Sequence, residues 1–311
     1  MKINSIYIGI INIIFLLSFH TSNLIAFENK IVVKVNNEII TSIDIENEIN
    51  YIKMLNPQVN NLDKNKLINI AKNSLIRERI KIITLLNVVE EIKVQDEYLN
   101  EIIKSSYEKL GLNTLDQYKK YLENNQLKIE YIKNKISVEA IWNELIYKKF
   151  NSKVVINKDK IINEVKDNSD IKMLLSEIVF QIKNKNDLQK KYNQIKNDIQ
   201  SEGFENAALI HSISNSASSG GKIGWINKNS LNEIFNDALL DLKIGEYSRP
   251  ILTQAGFVII RINDIKKDKS NEQSIEKKVD TLIRIKTNQQ LNQFSNIYLN
   301  KIKKDLVINE L

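Results

Sequence analysis

Two rhythms of apolar residues divide this chain. Between residues 62 and 168 the apolar positions recur at helical spacing. Ile68, Ala71, Leu75, Ile82 and Leu86 stand three, four and seven residues apart, forming one stripe on one helix face. The pattern predicts further helices over 94–110, 115–122, 129–150 and 157–165, with Gly111 ending the first of these. Ahead of this stretch, residues 31–35 and 38–41 are short β-prone runs around Asn36-Asn37. Asn tolerates positive φ, so the pair reads as a tight hairpin turn. Thr41, three residues before Asp44, marks a capping-box start for a helix over 43–55, which Pro57 closes.

Near Asp170 the rhythm changes. Six of the eight glycines fall between Gly203 and Gly256. Residues 174–182 are apolar and β-branched and predict a strand. Helices follow over 187–200 and 204–210, with Gly203 at the C-cap of the first. Residues 212–224 read as a Ser/Gly-rich loop, 231–242 as a helix, and 251–252 and 257–263 as strands. The order is β-α-α-loop-α-β-β, an α+β unit. Beyond it, Ile275, Val279 and Leu282, then Leu291, Phe294, Tyr298 and Ile302, mark one long amphipathic helix, with a possible strand over 306–308. A lone helix needs a partner for its apolar face, and the first helical module is the available one.

The N-terminus reads differently again. Lys2 precedes an apolar run over 3–19, densest over 6–17. This is the charge-then-apolar order of a secretory signal, shorter than the ~20 residues of a spanning helix. Ala26 is the expected last residue before cleavage, which places the mature protein in the periplasm. The alternative is an uncleaved anchor.

Composition narrows the chemistry. The chain has no cysteine and only His20 and His211, so thiolate sites, Cys nucleophiles and a His-rich metal site are excluded. No cofactor and no metal are expected. The 45 basic and 38 acidic residues are interleaved along the chain. A nucleic-acid surface needs basic residues clustered on one face, so nucleic acid is not an expected partner.

The hexad Gly220-Gly221-Lys222-Ile223-Gly224-Trp225 resembles the hallmark of parvulin-type (PpiC-like) peptidyl-prolyl isomerases. Phe204-Glu205-Asn206-Ala207-Ala208 is similar to that family's Phe-x-x-Leu-Ala helix, and Phe235-Asn236-Asp237-Ala238-Leu239 to its Phe-x-x-Ala-Leu helix. Gly245-Glu246-Tyr247-Ser248-Arg249-Pro250 resembles its Gly-Glu-x-Ser-x-Pro turn, and Gly256-Phe257-Val258-Ile259-Ile260 its last strand. The whole layout resembles the SurA-type periplasmic chaperones of outer-membrane proteins, with one parvulin segment where two are familiar. The division this implies is a signal over 1–26, a helical chaperone domain over 27–168, a parvulin-like domain over 169–268, and a C-terminal helix over 269–311 packing back on the first.

The resemblance also implies a site. It puts Leu231 and Phe235 at the positions that bind the proline ring, Thr253 at a pocket hydroxyl, and Trp225 and Val258 in the substrate-binding set. The family's paired histidines are replaced by Glu177 and Val258, and a Cys or Asp by Ser214. Glu177, Ser214 and Thr253 are therefore the candidate catalytic groups, and weak isomerase activity is expected. His211 reads as structural. Leu231 and Phe235 read equally as plain core. Expected partners are unfolded outer-membrane clients with extended, aromatic- or proline-containing segments, and the chain reads as a monomer. Trp142 and Tyr147 are candidate client contacts. The readings left open are a periplasmic chaperone, a foldase tethered by residues 3–19, and an inactive peptide-binding module.

Overall fold

The computed structural model describes residues 29–166, 171–182, 184–267 and 275–311, and the expected signal lies outside them. Strands β1 (Ile31–Val35) and β2 (Glu38–Thr41) pair antiparallel with Val35 opposite Glu38. Asn36 in the turn has φ 49°, the left-handed conformation a tight hairpin requires. Helix α1 (Ser42–Leu55) opens on the expected capping box. Thr41 Oγ1 accepts from the Asp44 N–H at 3.2 Å, and Asp44 Oδ2 accepts from the Thr41 N–H at 2.8 Å. Helices α2 (Lys64–Leu86), α3 (Asp96–Lys109), α4 (Leu115–Asn124), α5 (Ile129–Phe150) and α6 (Lys158–Lys166) follow.

The last long helix, α10 (Ile275–Lys304), supplies a wall of the first core. Its Tyr298 stacks on Trp142 of α5 at 5.9 Å between ring centroids, and Phe294 stacks on Phe150 at 5.3 Å. Trp142 is fully buried, and its indole N–H donates to Ser295 Oγ at 2.8 Å. Trp142 is thus a core residue and not a client contact, while Tyr147 is exposed. Strand β7 (Ile308–Glu310) then pairs with the free edge of β1, giving the sheet order β2-β1-β7.

One charged group lies deep between the first helices. Glu48 is 1% exposed, and it accepts from Ser74 Oγ at 2.6 Å, from Lys135 Nζ at 2.7 Å and from the Tyr131 hydroxyl. Burial alone would lower the Lys135 pKa, but Glu48 and Glu78 outweigh it and hold the ammonium charged. A buried ion pair persists only when its hydrogen bonds are satisfied in this way.

The second core belongs to an antiparallel sheet ordered β4-β3-β6-β5, built from β3 (Ile171–Phe180), β4 (Lys222–Asn227), β5 (Ile251–Thr253) and β6 (Gly256–Lys267). Helices α7 (Leu188–Glu202), α8 (Phe204–His211) and α9 (Glu233–Leu239) complete the unit. Strand β3 is central and covered on both faces. Ile178 and Phe180 pack with Phe204 and Ala207, whereas Leu175 and Val179 pack with Leu239 and Val258. That two-sided burial explains its continuous apolar run.

The structure corrects two elements. Where a loop is expected to residue 224, a 3-10 turn over Asn215–Ser219 leads into β4, and the order becomes β-α-α-β-α-β-β. β4 is an edge strand with Gly224 inside it, so it lacks the alternation that marks a strand in sequence. Helix α9 is also shorter than expected. Asn232 Oδ1 caps it, accepting from the Phe235 N–H at 2.9 Å. The fold is α+β, and no helix among the described residues is long and apolar enough to cross a membrane.

Candidate functional site

Gly221 lets the loop before β4 lie directly on β3. Its φ is +78°, and a Cβ there would stand 2.2 Å from the Glu177 carbonyl oxygen. Only glycine permits that approach at that φ. The Glu177 N–H donates to Gly221 O at 2.8 Å, which locks the crossing. The loop is thereby pressed against the Glu177 side chain. Glu177 Oε1 accepts from Ser214 Oγ at 2.5 Å and from Ser216 Oγ at 2.9 Å, and the two hydroxyls are 3.1 Å apart. Burial pushes the Glu177 carboxyl above its ordinary pKa, and the two serine donors oppose it without cancelling it.

This polar cluster forms one end of a cavity of about 670 Å³. The apolar side is built by Leu231, just ahead of the α9 cap, by Phe235 in the first turn of α9 and by Val258 of β6. Leu231 and Phe235 are both half-buried and pack against the sheet core while also lining the space. Thr253 lines it too, and its hydroxyl donates to Gly256 O at 2.8 Å, so its proton is committed to the β5–β6 turn. Glu177, Ser214, Thr253, Leu231, Phe235 and Val258 therefore converge on one volume.

Trp225 does not join them. Ile223 and Ile226 of the same strand line the cavity, and Trp225 does not. Trp225 is 37% exposed, with the Lys266 ammonium 4.3 Å from its ring centroid. His211 also lies apart from the cavity lining, at the end of α8. Its Nε2 is 2.6 Å from Asp198 Oδ2 and its Nδ1 is 3.1 Å from Lys191 Nζ, and burial, then the Lys191 charge, lowers its pKa.

Sequence reasoning missed two parts of the lining. Ser216 stands two residues after Ser214 in the same Ser-rich stretch, which was the available signal. The other part is the polar face of α10 with Val155 and Ile156, which close the cavity from the helical side. No local signal links residues so distant in sequence.

Residues 164–264 match the family model "Rotamase: PPIC-type PPIASE domain". The chain is 25% identical over 190 residues to the chaperone SurA of Pseudomonas putida, covering 56% of this chain and 43% of that protein. It is 29% identical over 180 residues to the foldase protein PrsA 2 of Bacillus cereus, covering 58% of this chain and 57% of that one. The chain spans about half the length of these curated relatives. Among solved structures, a SurA-like chaperone of Campylobacter jejuni aligns over 91% of this chain and 99% of its own, at 18% identity and a TM-score of 0.37.

Proposed function

From a chain that carries a PpiC-type peptidyl-prolyl isomerase domain and is SurA-like beyond it, we propose a periplasmic folding factor that holds unfolded outer-membrane proteins and turns over their X–Pro bonds weakly. Its working division is a helical holding domain over 27–168, completed by 269–311, and an isomerase domain over 169–268. It acts as a monomer.

The observation that carries this reading is the convergence of Leu231, Phe235 and Val258 with Glu177 and Ser214 on one cavity. An X–Pro bond exchanges over a barrier of about 18–20 kcal/mol because the amide has partial double-bond character. Catalysis needs no nucleophile. It needs an apolar grip on the ring while the amide twists, in a site where water does not favour the planar form. Leu231, Phe235 and Val258 supply the grip. Glu177, Ser214 and Ser216 supply hydrogen-bonding groups at the other end, in place of the histidines the resemblance implies. A carboxyl group held to its own serines is a poorer partner for a twisting amide than a free imidazole, so turnover is slow.

An Ala-Pro peptide isomerisation assay on the full chain tests this. The expected result is slow but measurable exchange, reduced about tenfold or more in Phe235→Ala through lost apolar contact. Exchange as fast as a histidine-bearing parvulin overturns the weak-activity claim. No exchange, with suppressed aggregation of an unfolded β-barrel protein, favours the peptide-binding module instead. N-terminal sequencing of the exported protein separates cleavage near Phe27 from a tether.

A further inference from the structure

The isomerase domain does not build the whole cavity. Along one face of α10, Gln289, Asn292, Gln293 and Asn296 line it at spacings of three and four residues. A neighbouring carboxamide on this helix already grips extended backbone. Gln290 Oε1 accepts from the Val155 N–H at 3.0 Å, and Gln290 Nε2 donates to the Val155 carbonyl at 2.8 Å. One side chain thus satisfies both backbone groups of one residue, as a paired strand would.

Two residues of the cavity lining each hold a polar atom with no such partner. Asn296 Oδ1 on α10 and Ser230 Oγ, next to Leu231, are buried and without a hydrogen-bond partner. Their residues are 6% and 7% exposed. Unpaired polar atoms at this depth are uncommon, because each has given up water without compensation. These two belong to opposite builders of the cavity, the tail helix and the isomerase domain. The cavity also falls within the roughly 300–1,000 Å³ typical of ligand sites, with room beyond a single prolyl ring.

We propose that an extended client segment threads between Leu231 and Phe235 on one side and α10 on the other, its backbone N–H groups pairing with Asn296 Oδ1 and its backbone meeting Ser230 Oγ. This rests on the isomerase reading and adds to it a backbone-reading subsite supplied by the tail helix. Affinity then depends on the client's main chain as well as its proline, which suits a protein that receives many sequences.

The test is fluorescence anisotropy on the full chain with a fluorescein-labelled ten-residue peptide bearing a central Ala-Pro. A second peptide has N-methyl groups on the residues flanking that pair. Wild type is expected to bind the first more tightly than the second. Asn296→Leu should weaken binding of the first about three- to tenfold, the worth of one hydrogen bond, and lose the distinction between the two. Its thermal midpoint should not fall, since the substitution removes an unpaired atom. Ser230→Ala, a smaller change, should weaken binding by a similar factor. If both variants keep wild-type affinity and methylation sensitivity while Phe235→Ala weakens binding, the subsite is refuted and the isomerase reading stands. If the wild type binds neither peptide, the isomerase reading falls and the subsite with it.

Discussion

A methyl group at Gly221 would meet the Glu177 carbonyl at 2.2 Å, and its absence brings Ser214 and Ser216 onto the Glu177 carboxylate. The consequence is a carboxyl group whose pKa rises on folding, chiefly through burial. Such a group contributes stability that is fully present below its unfolded pKa of about 4.3. That contribution is lost as pH climbs through the higher folded value. Glu177→Gln keeps the Oε1 acceptor for both serines and removes the charge. Its denaturant midpoint is expected to exceed wild type at pH 8, with the gap closing towards pH 4. Urea titrations at pH 4, 6 and 8 check this, and a gap that does not vary with pH refutes it.

At the scale of elements, α10 is the joint between the cores. Leu299 belongs to the first and Ile297 packs against the second, two residues apart on one helix. Its hold on α5 is specific as well as apolar, because Ser295 Oγ accepts the buried Trp142 N–H. Ser295→Ala removes the hydroxyl without adding volume and leaves that donor unpaired, at an expected cost of about 1–3 kcal/mol. Adding Trp142→Phe should then cost less than it does in the wild-type background, since the donor is already orphaned. Urea unfolding followed by circular dichroism reads both, and simple additivity of the two changes argues against the bond.

The same scale shows what was legible. Helix α5 matches its expected bounds, 129–150, because its apolar period is unbroken and its ends are clear. The hairpin and the α1 cap were legible because Asn36-Asn37 and Thr41–Asp44 act within a few residues. β4 was not, because its pairing with β3 comes from 50 residues away in the chain, with Lys172 opposite Asn227 at one end and Leu174 opposite Trp225 further in. The resemblance brought Trp225 into the site as part of its hexad, but on the edge strand β4 it lies exposed beside Lys266.

Across the molecule, the chain closes on itself. β7 pairs with β1, the Asn36 N–H donates to Val307 O at 2.9 Å, and the Leu311 N–H donates to Val32 O at 2.9 Å. The helical part also touches the α+β unit away from the cavity, where Lys66 meets Glu202 at 2.6 Å and Asn56 Nδ2 donates to Ser218 O at 2.7 Å. A chain ending at Lys304 loses the last strand and its backbone bonds, each worth about 1 kcal/mol. A domain of this size shifts by about 2–4 °C per kcal/mol. The thermal midpoint should therefore fall by several degrees, and an unchanged midpoint shows that β7 does not secure β1.

Short-range order was written in the sequence: the helical period, the caps and the turn residues. These signals are legible because each acts within a few residues. The tertiary structure alone decided that Trp142 is core, that Trp225 stays out of the cavity lining, and that a row of carboxamides on the tail helix lines the same cavity as Leu231 and Phe235. Those outcomes depend on which distant surfaces meet, and the apolar period of a helix records that a face is buried without recording against what.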